Sequence, residues 1–480
     1  MTCLPFGLAS APAAFAKVTN WIAHTLRQRG LRVVVYLDDF LLIHENPVTL
    51  ENQAQLVKSH LTNLGWNVNQ GKSSTTAKRK IQYLGVIWDT ENNQKSLPEE
   101  KIINLASDLD CLTKRKRWSW RGAKVILGKL NFASFVIPLG RLHCRSLQTE
   151  SNRLPRLQPN LRRPIPPSVL EDLAWWRANL RQVSPIHLPE PSLFITTDAA
   201  DKGWGAIVNG QKFWGLWSEN QQKWHNNQKE LHALYEALQR IDLDIKNKTL
   251  MLQTDNRTSV AYLVKQGGTR SLKLLKTARK ILEFCHYHHC YLTARYIPGV
   301  YNGLADSLSR FKSLPEWHLS PTATSIIFQK FGTPEIDLFA SARSAVVAKY
   351  VSEDAKDPFS QFTDAFSKTW RYRLGWIFPP PAIIPRVLRH LESSEGSYLI
   401  VAPSWNKAFW EPDLKSRASC PPLEIKNLRL VLTDLRTNLP PPNVDDLTLL
   451  VWKVQAGPSK SKIGVKLTSA SWSHHGESQR

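Results

Sequence analysis

The spacing of apolar and polar positions changes period several times along this chain, and each change marks an element. Val33-Val34-Val35-Tyr36-Leu37 and Phe40-Leu41-Leu42-Ile43 are apolar runs separated by Asp38-Asp39, which predicts a hairpin with the acids at its tip. Residues 97–150 carry helical spacing, with Val125, Ile126, Leu127, Leu130, Phe132 and Phe135 as an apolar stripe expected to face a core. Residues 151–190 are rich in Pro and Arg, which predicts a linker with one helix at about Ser168 to Arg181. Beyond it, Leu193 to Thr197 and Leu250 to Thr254 read as strands closed by Asp198 and Asp255, and Tyr291 to Tyr296 reads as a third. Glu230 lies in a segment whose apolar positions, through Ala237, Leu238 and Ile241, predict a helix with one buried face. Asp306 follows a Pro298-Gly299 turn and falls in a short helical stretch, Leu304 to Ser309. From about Pro440 the chain mixes Pro, Lys and Ser and is expected to be a flexible tail.

A single acid at a strand end is ordinarily a cap or a turn residue. Asp198, Glu230, Asp255 and Asp306 are four, drawn from two strand ends and two helices. Carboxylates gathered in that way hold two divalent cations about 3.5–4 Å apart across one scissile phosphate. The motifs that carry them are Thr196-Thr197-Asp198-Ala199, Lys229-Glu230-Leu231, Gln253-Thr254-Asp255-Asn256 and Ile297-Pro298-Gly299 followed by Leu304-Ala305-Asp306-Ser307-Leu308-Ser309-Arg310. Residues 192–310 thereby resemble the ribonuclease H domain of retroelement polyproteins. The resemblance implies that these four acids are catalytic and bind two Mg²⁺ ions. Many members of that family place a His in the loop before the last Asp. Here that loop reads Gly299-Val300-Tyr301-Asn302, so slower turnover with metal binding intact is expected.

A second set of motifs opens the chain. Leu4-Pro5-Phe6-Gly7-Leu8, Tyr36-Leu37-Asp38-Asp39, Leu64-Gly65-Trp66 with Lys72, and Tyr83-Leu84-Gly85-Val86 resemble, in order, the palm motifs of reverse transcriptases. The resemblance assigns Pro5, Phe6 and Gly7 to the loop under the incoming nucleotide, Tyr36, Asp38 and Asp39 to a metal-binding turn, and Lys72 to a lysine-bearing segment. It implies RNA-directed DNA polymerase activity. A further Asp would be needed on a strand before the first motif, and two acids alone do not complete a two-metal site. Residues 1–96 are therefore expected to be a partial palm lacking fingers and first strands, with a second chain as a partner that would supply them.

Composition points to a nucleic-acid partner. Lys and Arg number 63 against 40 Asp and Glu, a formal net charge of +23, and such an excess attracts phosphate backbones in a salt-sensitive way. Three runs concentrate it: Lys78-Arg79-Lys80, Lys114-Arg115-Lys116-Arg117 and Arg162-Arg163. Trp118 and Trp120 beside the second run are expected to offer stacking surfaces to an RNA–DNA hybrid. The sequence holds no apolar stretch of membrane-spanning length and no secretory signal pattern, and its six cysteines have no paired spacing. A cytoplasmic or nuclear protein with reduced thiols, neither secreted nor membrane-bound, is expected. The run Cys285-His286-Tyr287-His288-His289-Cys290 falls at a helix-to-strand junction, where alternate side chains diverge, and is not expected to bind metal.

Past residue 311, Glu335-Ile336-Asp337-Leu338-Phe339-Ala340-Ser341, Asp364-Ala365-Phe366 with Trp370, Phe378-Pro379-Pro380-Pro381 and Val401-Ala402-Pro403-Ser404-Trp405 resemble the segment that follows ribonuclease H in DIRS-like retrotransposons. That segment is similar to adenine-N6 methyltransferases, whose base-gripping loop has a polar first residue and an aromatic last one. The loop here has neither, which argues against methyl transfer and for a domain kept for packing or binding. The expected fold class is α/β and α+β multidomain. It comprises a partial reverse transcriptase palm (1–96), thumb or connection helices (97–150), a linker (151–190), a ribonuclease H-like mixed sheet with helices (191–311), a small α/β methyltransferase-like C-terminal domain (312–439) and a tail (440–480). The function these resemblances imply is two-metal hydrolysis of the RNA strand of RNA–DNA hybrids by a retrotransposon-derived fragment. The alternative is a catalytically inert nucleic-acid-binding remnant.

Overall fold

The computed structural model describes residues 7–312 and 315–458. Pro5 and Phe6 of the first motif, and residues 459–480 of the expected tail, lie outside the described residues. The chain divides into two compact units, Met1–His187 and Leu188–Arg480.

In the first unit, α1 (Ala11–Gln28) buries Ile22, Ala23 and Leu26 against a hairpin of β1 (Val33–Tyr36) and β2 (Asp39–Leu42) and against α2 (Pro47–Asn63). Helix α2 starts where Asn46 caps it, its side chain accepting from Thr49 N, with Pro47 next, a residue that needs no donor there. The hairpin turn is Leu37-Asp38, with Leu37 at φ 52°, and Tyr36 pairs with Asp39. Asp38 thus sits in the turn and Asp39 opens the second strand. Strands β3 (Lys80–Tyr83), β4 (Val86–Asp89) and β5 (Gln94–Ser96) form an antiparallel meander.

The rest of the unit is mainly helical, with three two-residue strands: α3 (Glu99–Arg115), β6 (Arg117–Trp118), α4 (Trp120–Ala133), α5 (Arg145–Ser151), β7 (Arg163–Pro164), α6 (Pro167–Asn179) and β8 (Ser184–Pro185). Two expectations change here. The buried stripe of α4 is Ala123, Ile126, Leu127, Leu130 and Ala133, whereas Val125, Phe132 and Phe135 face solvent. The two phenylalanines instead carry ammonium groups on their rings, Lys101 over Phe132 and Lys95 over Phe135, each at 4.1 Å. Nor is 151–190 a linker. Ile165, Val169, Leu173, Trp176 and Leu180 are buried in the same core as α3 and α4. The Trp176 indole donates to the His143 carbonyl (3.2 Å), and buried His143 pairs through Nδ1 with Asp172 (2.8 Å). Pro166-Pro167 starts a packed helix rather than spacing two domains.

The second unit begins with a five-stranded sheet. Strands β9 (Pro191–Ala199), β10 (Gly203–Val208) and β11 (Gln211–Leu216) are an antiparallel meander, while β12 (Thr249–Thr254) and β13 (Tyr291–Tyr296) run parallel to β9. The order is β11-β10-β9-β12-β13. After a four-residue α7 (Glu219–Gln222), helices α8 (Asn226–Gln239), α9 (Arg257–Val264) and α10 (Leu272–Tyr287) share a core with Leu193, Ile195, Leu250 and Leu252. Residues of the opposite strand parity, including Asp198 and Gln253, face α11 (Gly303–Ser309) and the domain that follows.

That domain is built from β14 (Trp317–Leu319), α12 (Pro321–Phe331), β15 (Ile336–Asp337), β16 (Arg371–Ile377), α13 (Ile384–Leu391), β17 (Glu395–Pro403), α14 (Glu411–Arg417), β18 (Leu423–Glu424), α15 (Leu428–Val431), β19 (Leu432–Asp434) and β20 (Leu449–Gln455). Its main sheet has the order β15-β16-β17-β20-β18, with the first three strands parallel. The expected tail therefore contributes a strand. From Leu449 to Gln455 β20 pairs antiparallel with the whole length of Ser397–Pro403, and Leu449, Val451 and Val454 are buried. No helix among the described residues is long and apolar enough to cross a membrane. The whole is a mixed α/β, multidomain chain.

Candidate metal-binding site

The acids at the ends of β9 and β12 meet the first turns of α8. Oxygens of Asp198, Glu230 and Asp255 lie within 4.8 Å of one another, a grouping of potential metal ligands among the described residues. Local chemistry explains each placement. Asp255 is the last residue before Asn256, whose side chain caps α9 by accepting from Ser259 N, so the strand must end there. Lys229 buries its stem and donates from Nζ to the Asp201 carbonyl (3.2 Å), tying α8 to the β9–β10 turn and holding Glu230 against the strand end. Asp198 is almost fully buried and accepts from Ser309 Oγ on α11 at 2.5 Å.

The fourth acid borders this group. Asp306 lies in the first turn of α11, but its Oδ1 accepts from Arg310 Nε one turn on (2.6 Å) and does not join the three-acid group. Its charge nonetheless reaches Asp198, Glu230 and Asp255, raising all three, so it borders the cluster. Arg310, four residues along the same helix, pairs with it and also faces the charge of Asp198.

Electrostatics mark the pocket as built for positive charge. Burial, then the charges of Asp198 and Asp255, push Glu230 up to about 9, against a weaker pull from the Ala199 backbone. Burial also raises Asp198, to about 6, although Ser309 holds it down. Asp255 is raised by burial first and by the Asp306 charge second. Glu230 Oε2 is buried with no hydrogen-bond partner. An oxygen in that state costs free energy that a cation would recover, so the donor set fits a divalent metal.

Three further residues shape the pocket, and the sequence carried only faint signals of them. Gly205 pairs with Asp198 across β9–β10, and a Cβ there would lie 2.5 Å from the Ala305 carbonyl and 2.6 Å from Ser309 N. Its missing side chain lets α11 approach closely enough for Ser309 to reach Asp198; a glycine inside a strand is the signal. Ser309 itself is legible only as the residue one helical turn beyond Asp306. A Cβ on Gly299 would meet Asp255 Oδ2 at 2.9 Å, so the 299–302 loop passes close against this carboxylate.

The polymerase motif residues are placed differently. Gly7, Tyr36, Asp38, Asp39 and Lys72 are all exposed, and β1 and β2 form a two-stranded sheet by themselves among the described residues. Tyr83, in the last palm motif, is raised by burial and then by the charge of Asp39.

Strand pairing unites two of the basic runs. Arg117 pairs with Pro164 and Trp118 with Arg163, and Arg117 Nη2 donates to the Arg162 carbonyl (3.2 Å). Lys114, Arg115, Lys116, Arg117, Arg162 and Arg163 thus form one exposed basic patch. Trp118 does not join it. It is 3% exposed, within the core of the unit, and Trp120 packs against that core, so the expected stacking platform is absent. The Phe378–Pro381 loop lines a cavity of about 630 Å³ with Phe339, Asn302 and Arg386, and the four acids lie outside its lining.

Residues 1–88 match the family described as reverse transcriptase (RNA-dependent DNA polymerase). The chain is similar to the enzymatic polyprotein of Cauliflower mosaic virus (strain D/H), with 24% identity over 334 residues, covering 64% of this chain and 45% of that protein. It is also similar to the enzymatic polyprotein of Figwort mosaic virus (strain DxS), at 22% identity over 64% of this chain and 45% of that one. It spans less than half the length of these curated relatives. Among solved structures it resembles the foamy viral protease-reverse transcriptase in complex with RNA/DNA hybrid, at 17% identity, covering 66% of this chain and 40% of that one, with a TM-score of 0.33. LC11-RNase H1 in complex with RNA/DNA hybrid gives 19% identity over 25% of this chain and 96% of that one, with a TM-score of 0.21. By its first 88 residues the chain matches the reverse transcriptases, and over about two thirds of its length it is similar to plant-virus enzymatic polyproteins.

Proposed function

We propose that the second unit carries a metal-dependent nuclease of ribonuclease H type, which hydrolyses the RNA strand of an RNA–DNA hybrid. The observation that carries this reading is the convergence of Asp198, Glu230 and Asp255 within 4.8 Å, with one buried Glu230 oxygen left unpartnered. These three would hold Mg²⁺, and Asp306 would serve a second ion once it leaves Arg310. Bound divalent cations supply charge to activate a water and to stabilise the leaving 3′-oxygen. The protein's own share is positional. Ser309 fixes the direction of Asp198, Lys229 anchors the helix bearing Glu230, and the α9 cap fixes where Asp255 emerges. The 2′-hydroxyls of the cleaved strand would distinguish RNA from DNA.

In this reading the chain derives from a retrotransposon of DIRS-like type and works in the cytoplasm or nucleus. Its basic patch of Lys114 to Arg117 with Arg162 and Arg163 holds nucleic acid. Polymerase activity would need a further metal-binding acid beside Asp38 and Asp39, from a second chain or another segment. The test is a cleavage assay on a labelled hybrid. Mg²⁺-dependent shortening of the RNA strand, lost in Glu230→Gln, is expected.

A second reading is an inert nucleic-acid-binding remnant, favoured by one observation: the Asp306–Arg310 pair leaves the fourth acid outside the cluster. Hybrid binding without any Mg²⁺-dependent cleavage would select it.

A further inference from the structure

The segment between β13 and α11 joins the nuclease sheet to the C-terminal domain. Ile297 is fully buried in the core of that domain, with Ile336, Ile377 and Trp410. Tyr301 is buried in the domain's other core and stacks on Trp405, with centroids 4.9 Å apart and planes at 23°. Its hydroxyl accepts from Thr448 N (3.4 Å), just before β20. The same few residues touch the carboxylate pocket from the other side. Gly299 backs directly onto Asp255 Oδ2. Buried Asn302 donates from Nδ2 to the carbonyl of Thr197, the residue before Asp198 (3.1 Å), and its own carbonyl accepts from Asp306 N (3.0 Å). A second tie runs parallel, for Gln253, two residues before Asp255, donates from Nε2 to the Ala382 carbonyl (2.7 Å).

We infer that the C-terminal domain acts as a clamp on the metal pocket, with Trp405 and Tyr301 as positioning residues that hold the 299–302 loop against Asp255 and Asp198. The inference rests on the nuclease reading and adds a role for a domain that reading leaves idle. Three facts separate a clamp from mere adjacency. The loop passes Asp255 so closely that a side chain at Gly299 would meet its carboxylate, its outward side is held by an aromatic stack, and its last two residues bond in opposite directions, Tyr301 to Thr448 and Asn302 to Thr197. Ligand-binding carboxylates depend on the groups that orient them, and loss of such a group typically costs about 10- to 100-fold in metal affinity. Coupling of this kind is also reciprocal, so a metal in the pocket should tighten the stack.

The test measures Mn²⁺ binding to the full chain by electron paramagnetic resonance, with no nucleic acid present. Trp405→Ala is expected to raise the Kd about tenfold, and Trp405→Phe, which keeps a ring for Tyr301, to stay near wild type. Equal Kd values in Trp405→Ala and wild type would overturn the inference and leave the nuclease reading standing. A wild-type chain that takes up no Mn²⁺ would overturn both. Hydrogen exchange on the unaltered protein covers the case where Trp405→Ala does not fold. Addition of Mg²⁺ should increase amide protection at 299–302 and at Thr448 together, and protection confined to the segments around Asp198, Glu230 and Asp255 would overturn the clamp.

Discussion

The chain presents two acidic sites that its sequence makes look alike, and their surroundings differ sharply. Asp38 and Asp39 are adjacent in sequence, exposed, and carried on a two-residue turn between strands that pair only with each other. Asp198, Glu230 and Asp255 are far apart in sequence, yet three elements, a helix cap, a buried lysine and a serine on a fourth element gather them within 4.8 Å. Exposed carboxylates lie in water, which already stabilises their charge, and gain little from a cation. Buried, crowded ones must take up either a proton or a cation to relieve their mutual repulsion. What distinguishes a metal pocket is the scaffold that desolvates and crowds the acids, and only the second site has it.

The largest expected effect tests that difference directly. Asp255→Asn should abolish both hybrid cleavage and the rise in melting temperature on adding Mg²⁺, whereas Asp39→Asn should leave both at wild-type values. Equal loss in the two variants would break the comparison. Ser309→Ala should act more mildly, raising the Mg²⁺ concentration for half-maximal cleavage about tenfold with little change in the maximal rate, because it removes only the group that orients Asp198.

pH provides a third measurement. Asp198 and Glu230 have native values of about 6 and about 9, above the ordinary carboxylate range of roughly 4. Between those limits the native state binds more protons than the unfolded one, so stability falls as pH rises through the window. The metal-free chain should therefore melt lower at about pH 8 than at about pH 5, and saturating Mg²⁺ should shrink or reverse the trend. A flat metal-free profile would mean the acids are not crowded. The smallest effect belongs to the basic patch: Lys116→Ala should reduce the salt dependence of hybrid binding by about one phosphate contact without altering metal affinity.

Much of the pocket was legible because strand-ending acids interrupt apolar runs, as at Thr197-Asp198 and Thr254-Asp255, and because Glu230 sits on a clean amphipathic helix. Asp306 was legible as a residue but not as a direction, since its orientation is decided by Arg310, an interaction that local pattern does not rank against long-range ones. Trp118 misled for a related reason. Four basic residues precede it, yet a two-residue strand pairing with Arg163 turns it inward. The 151–190 segment read as a linker because Pro and Arg dominate its composition, while its Val169, Leu173 and Trp176 stripe was outweighed. In the C-terminal domain, Leu449 to Val454 is a short, nearly continuous apolar run of the kind that fills a buried strand, and the polar residues around it disguised it.

Strand β20 also imposes an order of events on synthesis. It lies inside its sheet, between β17 and β18, although it is the last strand among the described residues. On a ribosome the β9–β13 sheet emerges well before it, and domains generally fold in order of emergence. Until residue 455 is available, β17 has a bare edge, the Tyr301 hydroxyl has no Thr448 N–H to accept from, and the far face of the β9–β13 sheet awaits its cover. The three-acid cluster thus gains the cover of the C-terminal domain only after β20 has been made, and a product ending before Leu449 would carry the acids without that enclosure.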